Sequence, residues 1–482
     1  MMDLRAPAHV IGLLIAFIGA TMLAPMIADL LEGHADGGAF GVAGLLTATA
    51  GGMLSLATRG ADARGMAVPQ TFVLTVGLWL VLPLFGALPF MLGAPGAGFT
   101  DAYFEAMSAM TTTGSTVFSG LDHMPAGTLL WRGMLQWFGG LGIVVVAIAF
   151  LPAMRIGGMQ FFRSEAFDTL GKVMPRAVEI AASLTWLYVA LTGLCALAYA
   201  AAGLSAFDAT VHAMTTIATG GFANYDASMG QFGPAAQWIC TGFMVLASLP
   251  LIRYVQLASG DPQPILRDPQ VRAYLLILTA IITVLTLYRA ALSDAPADEA
   301  LRHAALNVVS VVSGTGYAST DYGAWGAFPM AVFFLIGLIG GCTASTACSI
   351  KVFRYQILFA AIGAQIRRIH SPHGVFTPRY AGRRVEDDVV SSVMAFFFLF
   401  FTTLAIIAVA LGMLGYDAVT AVSGAAAALA NIGPGLGPII GPSGNFAPLS
   451  DAAKWVLIFA MLLGRLELMT VLVLLTAAFW RR

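Results

Sequence analysis

Charge is scarce in this chain of 482 residues: Asp, Glu, Lys and Arg make up 10% of it, against 59% hydrophobic residues and a mean hydropathy of +0.84. A water-soluble domain carries about 25% charged residues, so this chain lacks the polar surface to cover itself in water. Cysteine is scarce too. Cys195, Cys240, Cys342 and Cys348 sit among apolar or small residues without metal spacing, which reads as small buried hydrophobes. No stretch shows the alternation of a transmembrane barrel strand. No Walker-type or GxGxxG loop stands between a strand and a helix, so any nucleotide sensing belongs to another chain. Enzymatic chemistry needs clustered acids, bases or metal ligands. His370 and His373 lack a third ligand, and Glu32, His34 and Asp36 read as solvated loop. The expectation is therefore no enzyme, no cofactor and no nucleic-acid partner.

Long apolar runs take the place of charge. Val10–Leu30, Phe72–Leu92, Leu184–Ala202, Ala273–Tyr288, Met394–Leu411 and Trp455–Leu475 mostly reach the roughly 20 residues a helix needs to cross the hydrocarbon core. The first run has no convincing cleavage site after it and is expected to remain a span. With alternating spans, all but Arg132, Arg289, Arg302, Lys454 and Arg465 of the 24 Lys and Arg fall on the N-terminal side. The positive-inside rule then places both termini in the cytoplasm. The opposite side holds acids, among them Asp101, Glu105, Asp122, Asp208, Asp226 and Asp294, which could gather cations at an outer mouth.

Hydropathy breaks four times in the same way: a long helix, a dozen apolar residues, a small-residue turn, and a second long helix. The turns are Met110-Thr111-Thr112-Thr113-Gly114-Ser115-Thr116, Thr215-Thr216-Ile217-Ala218-Thr219-Gly220-Gly221-Phe222, Val312-Ser313-Gly314-Thr315-Gly316-Tyr317-Ala318 and Ala430-Asn431-Ile432-Gly433-Pro434-Gly435-Leu436-Gly437. A dozen residues cannot span, and non-helical backbone at membrane depth survives only inside protein or around a water-filled cavity. Four re-entrant loops therefore imply a shared axis. The expected fold is an all-α polytopic membrane protein with four tandem helix, pore helix, filter loop, helix repeats around a central pore. Residues 1–66 supply two extra spans, and the repeats cover 67–176, 177–262, 263–386 and 387–482. Basic inner linkers are expected at 155–177, 259–270 and 367–388.

Such loops suit a bare alkali cation. Rings of carbonyls can replace the hydration shell of K+, and glycine allows the backbone to turn its carbonyls inward. The candidate filter is Thr112, Thr113 and Gly114; Ala218, Thr219 and Gly220; Gly314, Thr315 and Gly316; and Asn431, Ile432 and Gly433. None of these is Cys, His, Asp or Glu, which argues against a tightly held divalent metal. Asp101, Asp208 and Asp417 near the pore-helix starts complement the positive helix ends. Arg465, inside an apolar stretch, must face protein or water. It is read as an electrostatic barrier below the filter, with a buried ion pair to another helix as the alternative. The small-residue run Gly340, Gly341, Cys342, Thr343, Ala344, Ser345, Thr346, Ala347, Cys348 and Ser349 interrupts the second helix of repeat three. It reads as a movable gate or as close helix packing.

The four filter turns, the break ending in Ser349-Ile350-Lys351-Val352-Phe353-Arg354, and Gly464-Arg465-Leu466-Glu467 together resemble the Trk/Ktr/HKT superfamily of potassium transporters, in particular its bacterial TrkH branch. The resemblance covers nearly the whole chain. It implies K+ as the transported ion, a homodimer in the bacterial inner membrane, and a cytosolic nucleotide-binding regulatory subunit of the TrkA type. It also implies filter glycines at Gly114, Gly220, Gly316 and Gly433, an intramembrane loop at Gly340–Ser349, and Arg465 as the pore arginine. The third filter, Ser313-Gly314-Thr315, and Ala347 and Cys348 in the loop depart from the family pattern. A proton- or sodium-coupled symporter of the same family, and a secondary transporter of a small organic solute, are the alternatives. The repeats all run in one direction, against the inverted repeats usual in the latter.

Overall fold

A computed structural model describes residues 2–481 except 35, 61–65, 150–176 and 293–295. Residues 155–176 of the expected basic linker, with Arg155, Arg163, Lys172 and Arg176, lie outside the described residues, as do Arg64, Asp294 and Arg482.

The chain opens with two extra helical spans, Arg5–Leu31 and Gly37–Ala57. Their backbones touch: a Cβ on Gly19 would sit 2.5 Å from Ala48 N, and one on Gly51 would sit 2.3 Å from Ala16 N. Small residues at such crossings let packing replace the hydrophobic drive that lipid cannot supply.

Four repeats follow. Their first helices are Val68–Gly86 (continued by Leu88–Leu92), Ala177–Ala201, Pro269–Leu292 and Asp387–Met413. Each leads to a short pore helix: Phe99–Met110, Ala206–Ile217, Ala297–Ser313 and Ala418–Ala430. The pore helices are buried along most of their length, as re-entrant segments must be.

The second helices depart from the expected pattern of one broken helix. The first, Ala126–Ala149, is continuous. In repeat two, Pro234–Ala247 turns by 91° into Leu251–Ala258. In repeat three, Ala327–Gly337 ends in the small-residue loop before Val352–His370 resumes. In repeat four, the stretch Trp455–Leu475 is not a single span. Asp451–Arg465 turns by 111° into Leu468–Leu474, with Glu467 at φ +61°. The break frees Glu467 to bond Arg354 on the repeat-three helix. Arg465 thus closes a helix rather than standing in mid-span. Among the described residues, the extended pairings are a hairpin within 367–388, Arg379–Tyr380 with Arg383–Arg384, and an isolated bridge between Ile339 and Ile350 at the two ends of the small-residue loop.

Candidate functional site

The pore helices end where four loops meet, and one local geometry recurs in each. The amides of Thr113, Gly220, Thr315 and Ile432 donate to the carbonyls of Ser108, Thr215, Ser310 and Ala427, five residues earlier in each case. The residue before that amide has positive φ in every repeat (Thr112, Thr219, Gly314, Asn431), and so does the residue after it (Gly114, Gly221, Gly316, Gly433). This fixes the register. In repeats one, three and four it matches the sequence reading. In repeat two it moves one residue along: the counterpart of Gly114 is Gly221, not Gly220, and Ala218 falls outside the equivalent trio.

The four glycines close a ring. A Cβ on Gly114 would lie 2.3 Å from Gly220 O, one on Gly221 1.8 Å from Thr315 O, one on Gly316 2.1 Å from Ile432 O, and one on Gly433 2.9 Å from Thr113 O. Each glycine abuts the register-equivalent carbonyl of the next repeat, and the fourth returns to the first. Only a bare Cα at positive φ fits each junction.

Cavities flank the ring. One of about 270 Å³ is lined by Gly114, Gly221, Gly316, Pro434 and Asp226 among others. One of about 50 Å³ on the other side is lined by Asn431, Cys348, Lys351, Gly464 and Arg465 among others. Between the ring and the smaller cavity lies the small-residue loop. Its Cys348 and Ser349 amides donate to Ser313 O (3.2 Å) and Ala430 O (3.0 Å), the terminal carbonyls of the third and fourth pore helices. The Cys348 thiol approaches Thr112 Oγ1 at 3.5 Å. The loop also joins the repeat-two break: the Cys342 amide donates to Ser248 O and the Leu251 amide to Ala344 O.

Comparison with known proteins supplies the context. The model of the TrkH family, described as a cation transport protein, matches residues 39–482. The chain belongs to the TrkH family. It is 44% identical over 475 residues to the Trk system potassium uptake protein TrkI of Halomonas elongata, covering 98% of this chain and 96% of that protein. It is 35% identical over 492 residues to the TrkH of Escherichia coli K12, over the whole of both chains. The crystal structure of the potassium transporter TrkH from Vibrio parahaemolyticus matches with a TM-score of 0.92 at 35% identity, covering both chains completely.

In this TrkH-family chain Arg465 is buried. Nη1 reaches Cys348 Sγ (3.0 Å), Nη2 donates to Gly139 O (3.1 Å), and Nε has no partner. Among the described residues it has no carboxylate within ion-pair distance, because Glu467 is taken by Arg354. The alternative of a buried ion pair at Arg465 is therefore not what the geometry holds.

The acids are mostly engaged. Asp101 pairs with Lys454 at 2.6 Å. Asp208 accepts from Asn224 and Tyr225, and Asp417 caps its helix at the Thr420 amide. The third pore helix also carries acids in its first turn, Asp298 and Glu299. Of the mouth acids, Asp226 lines the larger cavity while accepting from the Gly120 and Leu121 amides.

Sequence reasoning missed the residues that brace the ring. Arg132 bonds Glu105 (2.8 Å), Ala223 O (2.9 Å) and Thr116 Oγ1 (3.2 Å) and lies over the Phe222 ring. Glu105 is fully buried and also accepts from the Val117 amide, so it is not a mouth acid. Gln136 donates to Gly220 O (2.6 Å) and accepts from the Phe222 amide (3.0 Å). Asn431, already among the filter residues read from sequence, joins these braces by donating to Thr113 Oγ1 (2.9 Å) and Met461 O (3.0 Å). The available signal was Arg132 within an apolar helix, since an intramembrane charge must be paired.

Proposed function

We propose that this protein takes up potassium through a single pore whose filter is the four-loop ring. Filter binding is assigned to Thr112–Gly114, Thr219–Gly221, Gly314–Gly316 and Asn431–Gly433, with dehydrated K+ resting on backbone carbonyls. The observation that carries this reading is the closed cycle of glycine-to-carbonyl contacts around four equivalent loops. The C-terminal ends of the pore helices, partially negative, converge on the ring and favour a cation.

Gly340–Ser349 serves as the gate and Arg465 as the barrier beneath it. The loop is held to the ring by two amide bonds, to Ser313 O and Ala430 O, few enough to exchange during opening. The repeats are assigned to 67–176, 177–262, 263–386 and 387–482 after the extra spans of 1–66. The protein acts as a homodimer in the bacterial inner membrane, with both termini cytoplasmic and a TrkA-like nucleotide-binding subunit controlling the gate. The names of its relatives, Trk system potassium uptake proteins, and the sidedness of Lys and Arg support that assignment.

The test is flux of K+ against Na+ into liposomes holding the purified protein alone, without a pH gradient. K+-selective uptake is expected. Should a closed gate silence it, a version with the 340–349 run shortened should conduct; silence in that folded variant would overturn the pore. Arg465→Ala is expected to raise K+ flux several-fold, because a positive charge leaves the ion path. Unchanged flux and selectivity would remove Arg465 from the barrier role.

A further inference from the structure

Away from the pore, the helix Val352–His370 carries two exposed features on one element. Phe359, Ile362, Ile366 and Ile369 are 66%, 45%, 61% and 73% exposed. Their spacing of three and four residues makes one apolar stripe. The stripe runs into the last turn, beside exposed Arg367, Arg368 and His370. The helix starts at the loop beneath the ring, and its 19 residues measure ~28 Å. Half the hydrocarbon core is only ~15 Å, so the stripe stays in lipid only if the helix inclines along the leaflet. That brings its arginines to headgroup level.

The hairpin after the helix adds three more cations. Ala381 and Gly382 both have positive φ, the two-residue turn that matches strand twist. Tyr380 and Val385 are buried and anchor it. The turn places Arg379 directly opposite Arg384, and Tyr380 opposite Arg383. Like charges facing across a strand pair repel, and an anion between them would remove the penalty. Among the described residues, Arg367, Arg368, Arg379, Arg383 and Arg384 have no carboxylate within ion-pair distance. The nearby acids Glu386, Asp387 and Asp388 stand at the N-terminus of the next helix, where they complement its positive end.

We propose that Arg367, Arg368, Arg379, Arg383 and Arg384, with the Phe359–Ile369 stripe, form a binding site for an anionic phospholipid. The acyl chains lie on the stripe, and the headgroup phosphate sits between the helix end and the hairpin arginines. A lipid fits because it alone supplies apolar chains and a phosphate in one molecule, matching two features continuous on one helix. The pore reading decides only which leaflet this is, since lipid binding can be read without flux.

The experiment is native mass spectrometry of the full-length protein with phosphatidylglycerol or phosphatidylcholine added in detergent, on wild type and on R379Q/R383Q/R384Q. Wild type is expected to retain phosphatidylglycerol about tenfold better, and the triple variant to fall to parity. A size-exclusion profile and a melting temperature in detergent matching wild type report the folding of the variant. No preference in wild type, or the same preference in the variant, would overturn the site. Glycerol phosphate is expected not to compete; competition at equal concentration would assign the arginines to a free anion and overturn the lipid. If Ile366→Ser and Ile369→Ser release a second copy of the chain without altering lipid retention, the stripe is a subunit contact and the proposal fails. It fails equally if the triple variant loses a cytosolic protein partner and keeps its lipid preference.

Discussion

Gly221→Ala is expected to cut K+ uptake at least tenfold, about the scale of a lost filter position, and to bring the K+ to Na+ ratio toward one. The added methyl would lie 1.8 Å from Thr315 O, a backbone atom of the next repeat, and φ is +74°. Neither partner can yield without moving a carbonyl of the ring. Gly220→Ala is a sharp comparison. Its Cβ would meet Gln136 Cδ at 2.4 Å, the end of a side chain that can swing aside, and φ there is not positive. Gln136 would give up its bonds to Gly220 O and the Phe222 amide, so a smaller loss of flux is expected, with most selectivity kept. Uptake of K+ with Na+ as competitor, in liposomes matched for protein, separates the two. A Gly220→Ala variant as damaged as Gly221→Ala would return the filter register to the one read from sequence.

That comparison marks where the sequence stops being informative. The four turns were visible because short apolar helices ending in glycine cannot span, and four of them at even spacing have no use as plain loops. The choice between Gly220 and Gly221 was not visible. Adjacent glycines look alike in a string, and only the torsions and the bond from the 220 amide to Thr215 O separate them. The loop at 340–349 announced itself by composition. The bend after Ala247 had a weaker signal in Pro250, which cannot continue a helix. The break at 466–467 had almost none, because Trp455–Leu475 is uncharged except for Arg465 and Glu467 and almost wholly apolar otherwise. Side chains two residues apart do not face each other on a helix, so an unbroken helix would leave these two charges unable to pair locally. The structure resolves the conflict by ending the helix between them and sending each to a different partner.

The bracing layer was hidden for another reason: its partners are far apart in the chain. Arg132 meets Glu105 in its own repeat and Ala223 O in the next, and neither contact follows from spacing. Arg132→Met is accordingly expected to be the most destabilising single change outside the ring. Both members of the pair are almost fully buried. Removing one leaves the other charged and uncompensated, at about 3–5 kcal/mol. The folded yield and the melting temperature in detergent should fall together. Glu105→Gln/Arg132→Met should recover part of the loss, because no charge is then stranded; a double variant no better than the single would show that the pair is not coupled. Stability is only half of the expectation. Arg132 also holds the outgoing strands of two filter loops, at Thr116 and Ala223. Selectivity per folded molecule should therefore drop in the single variant as well. A substitution that merely loosened the helix bundle would lower the amount of folded protein and leave the K+ to Na+ ratio of the remainder intact, so the ratio identifies Arg132 as a brace of the ring.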